Sequence, residues 1–240
     1  IPQYAETYEL NHPNTQVVVG DVREVSEADL KNRLGVDEGE IDLVAGGPPC
    51  QGFSINAPIR TLDDTRNHLF KDFLRVVSSI KPKAVLIENV PGIISLGRGT
   101  VVQQIYKELQ AMGYSVGHRI LFAGHYGVPQ LRFRTVFIGI RNSDKKVTFP
   151  EPQYNAKAVA NFAGAKELCL SITPLFAQGL KNRTSVWEAM SDLPEIENGQ
   201  LISPKKYLTS PQNDYQRYLR KDCLELTSHY AAKIAEVNLE

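Results

Sequence analysis

Three places in this 240-residue sequence carry side chains able to do chemistry. Cys50 lies in Gly47-Pro48-Pro49-Cys50-Gln51-Gly52-Phe53-Ser54, directly after an apolar run. Restricted proline backbone after a buried strand would hold the thiol out of the sheet, as a scaffold presents a nucleophile. A lone cysteine can equally be a buried structural residue. Glu88 closes a second apolar run, Ala84-Val85-Leu86-Ile87. A carboxylate there is costly unless something solvates or uses it. It could serve as an acid or accept hydrogen bonds from an exocyclic amine, or it could be a strand-end salt bridge or helix cap. Gln130, Arg132 and Arg134 alternate with Leu131 and Phe133. On an extended segment the three polar residues share one face, suited to phosphate or base-edge contacts, with a solvated edge strand as the alternative.

Positioning these groups requires a particular frame. Short apolar runs at 16–19, 41–45 and 84–87 end in Gly-Asp, Gly-Gly-Pro-Pro and Glu-Asn, and two more follow at 116–122 and 134–140. Such runs read as buried parallel strands. Between them, Leu69, Phe73, Val76, Val77 and Ile80 recur at helical spacing before Pro82, as do Val101, Val102, Ile105, Leu109 and Met112 before Gly113. Strand, crossover helix, strand predicts an α/β fold with a doubly wound, mostly parallel sheet and helices on both faces. Asp21, Cys50 and Glu88 then lie beyond the carboxyl ends of strands, where such folds place their sites. The stretch 51–66 has no periodic pattern, and a loop of that length reads as a mobile active-site loop or a surface excursion.

After Pro150 the alternation stops. Pro152, Pro174, Pro194, Pro204 and Pro211 interrupt the pattern, and weak helical signals remain over 214–226 and 228–237. Residues 1–150 are therefore expected to form the core, and 151–240 a separate or protruding module. Lys+Arg 27 balance Asp+Glu 27, so any nucleic-acid contact must come from a local basic surface such as Lys205, Lys206, Arg217, Arg220 and Lys221. Three widely spaced cysteines suggest neither a disulfide framework nor a zinc cluster, which fits a reducing compartment. No metal is expected. No apolar run is long enough to span a bilayer, and no leader is apparent.

The ordered motifs resemble the DNA (cytosine-5)-methyltransferase family, in the compact spacing of bacterial members. Gly46 to Ser54 resembles the family's nucleophile motif, Glu88-Asn89-Val90 its catalytic glutamate motif, Gln130-Leu131-Arg132-Phe133-Arg134 its Gln-x-Arg-x-Arg motif, and Gly20-Asp21-Val22 its cofactor-adenine motif. Ala5 and the stretch 8–13 resemble the helix after the ribose-binding acidic residue. The likeness implies a Rossmann-like S-adenosylmethionine-dependent methyltransferase core and methyl transfer to C5 of a flipped cytosine in duplex DNA. In it, Cys50 attacks C6, Glu88 contacts N3 and the exocyclic amine, Arg134 holds O2, and Gln130 and Arg132 complete the catalytic set. Asp21 accepts from the adenine N6 of S-adenosyl-L-methionine, Val22 and Leu69 pack nearby, and Pro49 lines the methyl-donor side. Gln51, Ser54 and Arg132 face DNA, with 51–66 closing over the base.

The same resemblance sets expectations for what is missing. The family's Phe-x-Gly-x-Gly loop and its acidic ribose ligand have no counterpart in the sequence, and neither do the motifs that follow target recognition. Residues 1–150 are thus expected to be a catalytic core lacking its first strand and Gly-rich loop, and 151–240 a linker and the beginning of a target-recognition region. Ser185 to Pro194 resembles the segment leading into it. By this reading the chain is a fragment, inactive alone, or part of a split enzyme with a complementary partner chain, located with the nucleoid in a bacterial cytoplasm. A transfer-RNA cytosine-5 methyltransferase and a noncatalytic DNA-binding subunit are the alternatives.

Overall fold

The computed structural model describes residues 2–48, 69–156, 179–201, 204–221 and 223–234. These fall into two compact units, one built mainly from Ile1–Leu121 and Phe133–Pro150, the other from Phe122–Arg132 and described parts of Glu151–Ala158 and Cys169–Glu240.

The first unit is organised on a four-stranded sheet. Its strands are β1 (Leu43–Gly46), β2 (Ala84–Asn89), β3 (Tyr114–Phe122) and β4 (Phe133–Arg141), in the order β1-β2-β4-β3. The sheet is mixed. β1 runs parallel to β2 with Leu43 opposite Ala84, whereas β4 runs antiparallel to β2 with Ala84 opposite Ile140 and Asn89 opposite Thr135. Side chains alternate across a strand, so Val85, Ile87 and Asn89 share one face and are buried there, while Glu88 lies on the other.

Helices α1 (Pro2–Asn11), α2 (Glu27–Leu34), α3 (Leu69–Ile80) and α4 (Thr100–Ala111) belong to this unit. α3 forms because Leu74, Val77 and Ile80 make one apolar stripe, and it stops where Lys81 turns to a φ of 49° ahead of Pro82, which cannot continue a helix. Val101, Ile105 and Leu109 give α4 its own stripe. Leu74 and Val77 of α3 and the α4 stripe join Val85, Ile87, Tyr114 and Phe137 in a single core. At Gly46 an added Cβ would lie 2.6 Å from Phe73 Cε2, so a side chain there would push aside the ring that α3 lays against β1.

Phe137 is wholly buried at the centre of that core. Phe137→Ala is expected to lower unfolding free energy by about 3–5 kcal/mol, measured by urea denaturation of the intact protein. A loss under about 1 kcal/mol would contradict this packing.

Two local expectations change. Residues 16–19 form no strand: Val18 and Val19 are more than half exposed, and among the described residues no strand pairs with this run to hold it extended. In the second unit, the helical signal over 214–226 shortens to one helix at Asp214–Leu219, and 228–234 is irregular, with 235–237 outside the described residues. There the backbone is tied by tertiary bonds instead, Leu226 N–H to Lys205 O at 3.0 Å and Ala231 N–H to Gln200 O at 3.1 Å. That unit also holds β5 (Tyr154–Asn155), β6 (Lys181–Asn182), α5 (Val186–Met190) and α6 (Asp214–Leu219). No described helix is long and apolar enough to cross a membrane.

Candidate active site

β2 delivers Glu88 to the carboxyl end of the sheet. In the antiparallel register Glu88 opposes Val136, so Arg134, two positions along β4, is its diagonal neighbour on the same face. Diagonal cross-strand neighbours lie within reach of long side chains. Arg134 Nε and Glu88 Oε1 form an ion pair, and Arg134 Nη1 also donates to Phe133 O at 2.8 Å, which fixes the guanidinium. The Glu88 side chain is 44% exposed and that of Arg134 26%. An open pair of this kind contributes on the order of 1 kcal/mol or less, so parting the two groups costs little.

Asn89, the next residue of β2, points the opposite way and is buried. Its Nδ2 donates to Pro48 O at 3.0 Å and its Oδ1 accepts from Val90 N–H at 2.9 Å. The backbone leading toward position 50 is therefore fastened to the strand that carries Glu88. Gly47 lies beside that carboxylate, and a Cβ there would sit 3.2 Å from Glu88 Oε2. Gly47→Ala is expected to displace the carboxylate and lower kcat by about tenfold or more, with unfolding free energy changed by less than about 1 kcal/mol. Steady-state kinetics with urea denaturation check this, and an unchanged kcat would contradict it. Sequence reading placed Gly47 in the nucleophile motif but not beside Glu88, because a glycine facing a strand-end carboxylate is visible only from the register.

Asp21 and Val22 lie in an open loop of the same unit. Arg23 Nε donates to Asp21 Oδ1 at 2.9 Å and Oδ2 at 3.1 Å, Nη2 to Oδ2 at 2.5 Å, and the Arg23 backbone N–H to Oδ1 at 2.9 Å. Chiefly the Arg23 side chain, and then its backbone N–H, hold the Asp21 carboxyl at about 2, below its ordinary 3.8. The stabilisation linked to this group is present above its unfolded pKa and is lost as pH falls toward about 2. An ionised carboxylate that accepts hydrogen bonds, beside the partly exposed Val22, fits an adenine amine and its ring. Leu69 opens α3 in this unit and is half-buried.

Gln130 and Arg132 belong to the second unit and are exposed. The extended run expected to give them a common face with Arg134 does not form at 130–132. Gln130 N–H bonds Val128 O at 2.8 Å and Arg132 N–H bonds Gln130 O at 3.0 Å, so the backbone turns tightly and the strand begins only at Phe133. Pro49, Cys50, Gln51 and Ser54 lie outside the described residues, as does the stretch 51–66.

The family pattern for C-5 cytosine-specific DNA methylases matches residues 1–237. The chain belongs to that family. It is 36% identical over 230 residues to Type II methyltransferase M1.HphI of Haemophilus parahaemolyticus, covering 91% of this chain and 59% of that protein. It is 34% identical over 201 residues to Type II methyltransferase M.AquIA of a Picosynechococcus strain, covering 80% of this chain and 77% of that protein. The chain spans between 50% and 59% of the length of three Type II methyltransferases that it matches over nine-tenths or more of its own. A solved E. coli prophage protein described as a DNA modification methyltransferase superposes with a TM-score of 0.66 at 23% identity, covering 97% of this chain and 63% of that one. The chain therefore has the α/β Rossmann-like fold of S-adenosylmethionine-dependent methyltransferases. Sequence patterning and structure agree on its β2, α3 and α4.

Proposed function

We propose that this methylase chain carries the catalytic part of an enzyme that methylates C5 of a flipped cytosine in duplex DNA. The observation that carries the reading is the Glu88–Arg134 pair at the carboxyl end of β2, beside the Asn89-anchored backbone that leads to Cys50.

C5 of cytosine is a poor nucleophile until C6 is attacked. In the proposed reaction the Cys50 thiolate forms an S–C6 bond, and the displaced ring electrons are drawn toward N3 and O2. Glu88 at N3 and the exocyclic amine, with Arg134 at O2, stabilises that charge as it develops. The resulting enamine carries nucleophilic carbon at C5. S-adenosylmethionine, when bound, supplies an electrophilic methyl group, and the Asp21 carboxylate with Val22 and Leu69 would hold its adenine while Pro49 lines the methyl-donor side. Loss of the C5 proton then expels the Cys50 thiolate and restores the aromatic ring. The target atom is hidden in a paired duplex, so the base must leave the stack.

Residues 151–240 serve in this reading as a linker and the beginning of target recognition. A cleft of about 960 Å3 within the second unit supports it, because Tyr154, Tyr215 and Tyr218 stand there with Lys181 and Arg183. Aromatic rings and cations together suit nucleic-acid bases and phosphates. Gln130 and Arg132, exposed in the turn before β4, and Gln51 and Ser54 would add contacts to DNA or to the closing loop. The bacterial Type II relatives support a bacterial source, and in this reading the enzyme works in the cytoplasm, at the nucleoid, as part of a restriction-modification system.

Incubation of the full-length protein with methyl-labelled S-adenosylmethionine and either duplex DNA or transfer RNA tests the assignment. Label is expected in duplex DNA. Label confined to transfer RNA would overturn the choice of substrate, and label in neither would point to a noncatalytic binding subunit.

A further inference from the structure

The loop that carries Asp21 and Val22 contains no strand, and Val22 is partly exposed. Local bonds shape it at both ends. Glu24 N–H donates to Asp21 O at 3.0 Å, and Ser26 Oγ accepts from Asp29 N–H at 3.0 Å to cap α2. Neither bond ties the loop to the sheet-and-helix core.

Arg75 supplies that tie. From the middle of α3 its Nη2 donates to Val22 O at 2.7 Å and its Nη1 to Val25 O at 2.9 Å. Its Nε lies 3.5 Å from Asp72 Oδ1, one turn back along the helix, with both side chains largely sheltered. A single planar guanidinium thus bridges two carbonyls on either side of Arg23 and is itself aimed by a carboxylate on its own helix. Two donors in a rigid fork fix a direction as well as a distance, which a lysine ammonium on a flexible stem cannot reproduce.

We propose that Arg75 is a positioning residue for cofactor binding: it sets the Asp21–Val22 backbone against α3 and so places the carboxylate and the apolar surface that receive the adenine. The inference rests on the assignment of Asp21 and Val22 to the adenine in the preceding section. Arg75 touches neither cofactor nor cytosine in this role. Its loss therefore weakens capture of S-adenosylmethionine while leaving the chemistry at cytosine intact.

The test uses the full-length protein with Arg75→Ala and Arg75→Lys, in steady-state kinetics and backbone amide exchange. In Arg75→Ala the KM for S-adenosylmethionine is expected to rise about tenfold or more, the scale of one lost charge-assisted hydrogen bond. Under the same conditions kcat stays within about twofold and the KM for DNA is unchanged, because only cofactor binding has been weakened. Arg75→Lys recovers part of the loss. Amide exchange accelerates across 21–25 and not in β2. An unchanged KM for S-adenosylmethionine overturns the proposal, as does an equal fall in kcat and in affinity for both substrates, the mark of general damage. Faster exchange at 21–25 in a protein whose Asp21→Ala variant binds S-adenosylmethionine normally would overturn the adenine assignment instead, and with it the positioning role, while the tie itself stood.

Discussion

Cys50→Ala in the full-length protein is expected to abolish methyl transfer, a fall of at least about four orders of magnitude, because in the proposed reaction the Cys50 thiolate forms the bond to C6. The same substitution removes the covalent complex that duplex DNA containing 5-fluorocytosine should form with the unaltered protein in the presence of S-adenosylmethionine. Fluorine at C5 cannot leave as the C5 proton does, so addition and methyl transfer proceed but expulsion of the thiolate is blocked. Binding to unmodified DNA should persist in the variant, since the thiol supplies chemistry rather than affinity. A gel shift resistant to denaturant separates the two effects. Persistence of the adduct in Cys50→Ala would sink the nucleophile assignment.

Glu88→Gln is expected to lower kcat by about 10²–10⁴ with affinity for DNA little changed, the span usual for loss of a positioned acid. The amide keeps the shape of the side chain and can still touch the ring. It cannot deliver a proton to N3 or hold a negative charge against Arg134, and the ion pair seen in the structure is lost with it. Because that pair is half-open to solvent, its removal should change unfolding free energy by about 1 kcal/mol or less. The effect on rate therefore reports chemistry and not folding. A loss of less than tenfold in kcat, or a fall in stability matching the fall in rate, would contradict the assignment.

What the sequence disclosed and what it withheld have separate physical causes. β2 was legible as a short continuous apolar run closed by Glu88-Asn89, and α3 and α4 because their apolar residues recur at helical spacing and stop before Pro82 and Gly113, signals local to a dozen residues. The Glu88–Arg134 contact was not legible, although both residues were. It depends on Glu88 opposing Val136 in an antiparallel register that pairs segments almost fifty positions apart. The hold of Arg75 on Val22 and Val25 was invisible for the same reason. The second unit was obscure because little of it rests on periodicity. Gln216 Nε2 and Asn213 Nδ2 both donate to Glu188 O at 2.7 Å, and Arg220 joins Asp192 Oδ2 at 3.0 Å and stacks on Tyr207. Such polar ties leave no repeating pattern in the sequence.

The most direct measurement is the site of covalent attachment. The full-length protein is incubated with 5-fluorocytosine duplex DNA and S-adenosylmethionine, digested with trypsin and nuclease, and the peptides are weighed. Cleavage after Arg33 and Arg60 leaves Cys50 on its own peptide, apart from those holding Cys169 and Cys223. The account predicts a methylated fluorocytidine nucleotide on the Cys50 peptide alone. The nucleotide on either other cysteine, or no adduct while methyl transfer to DNA proceeds, would contradict it.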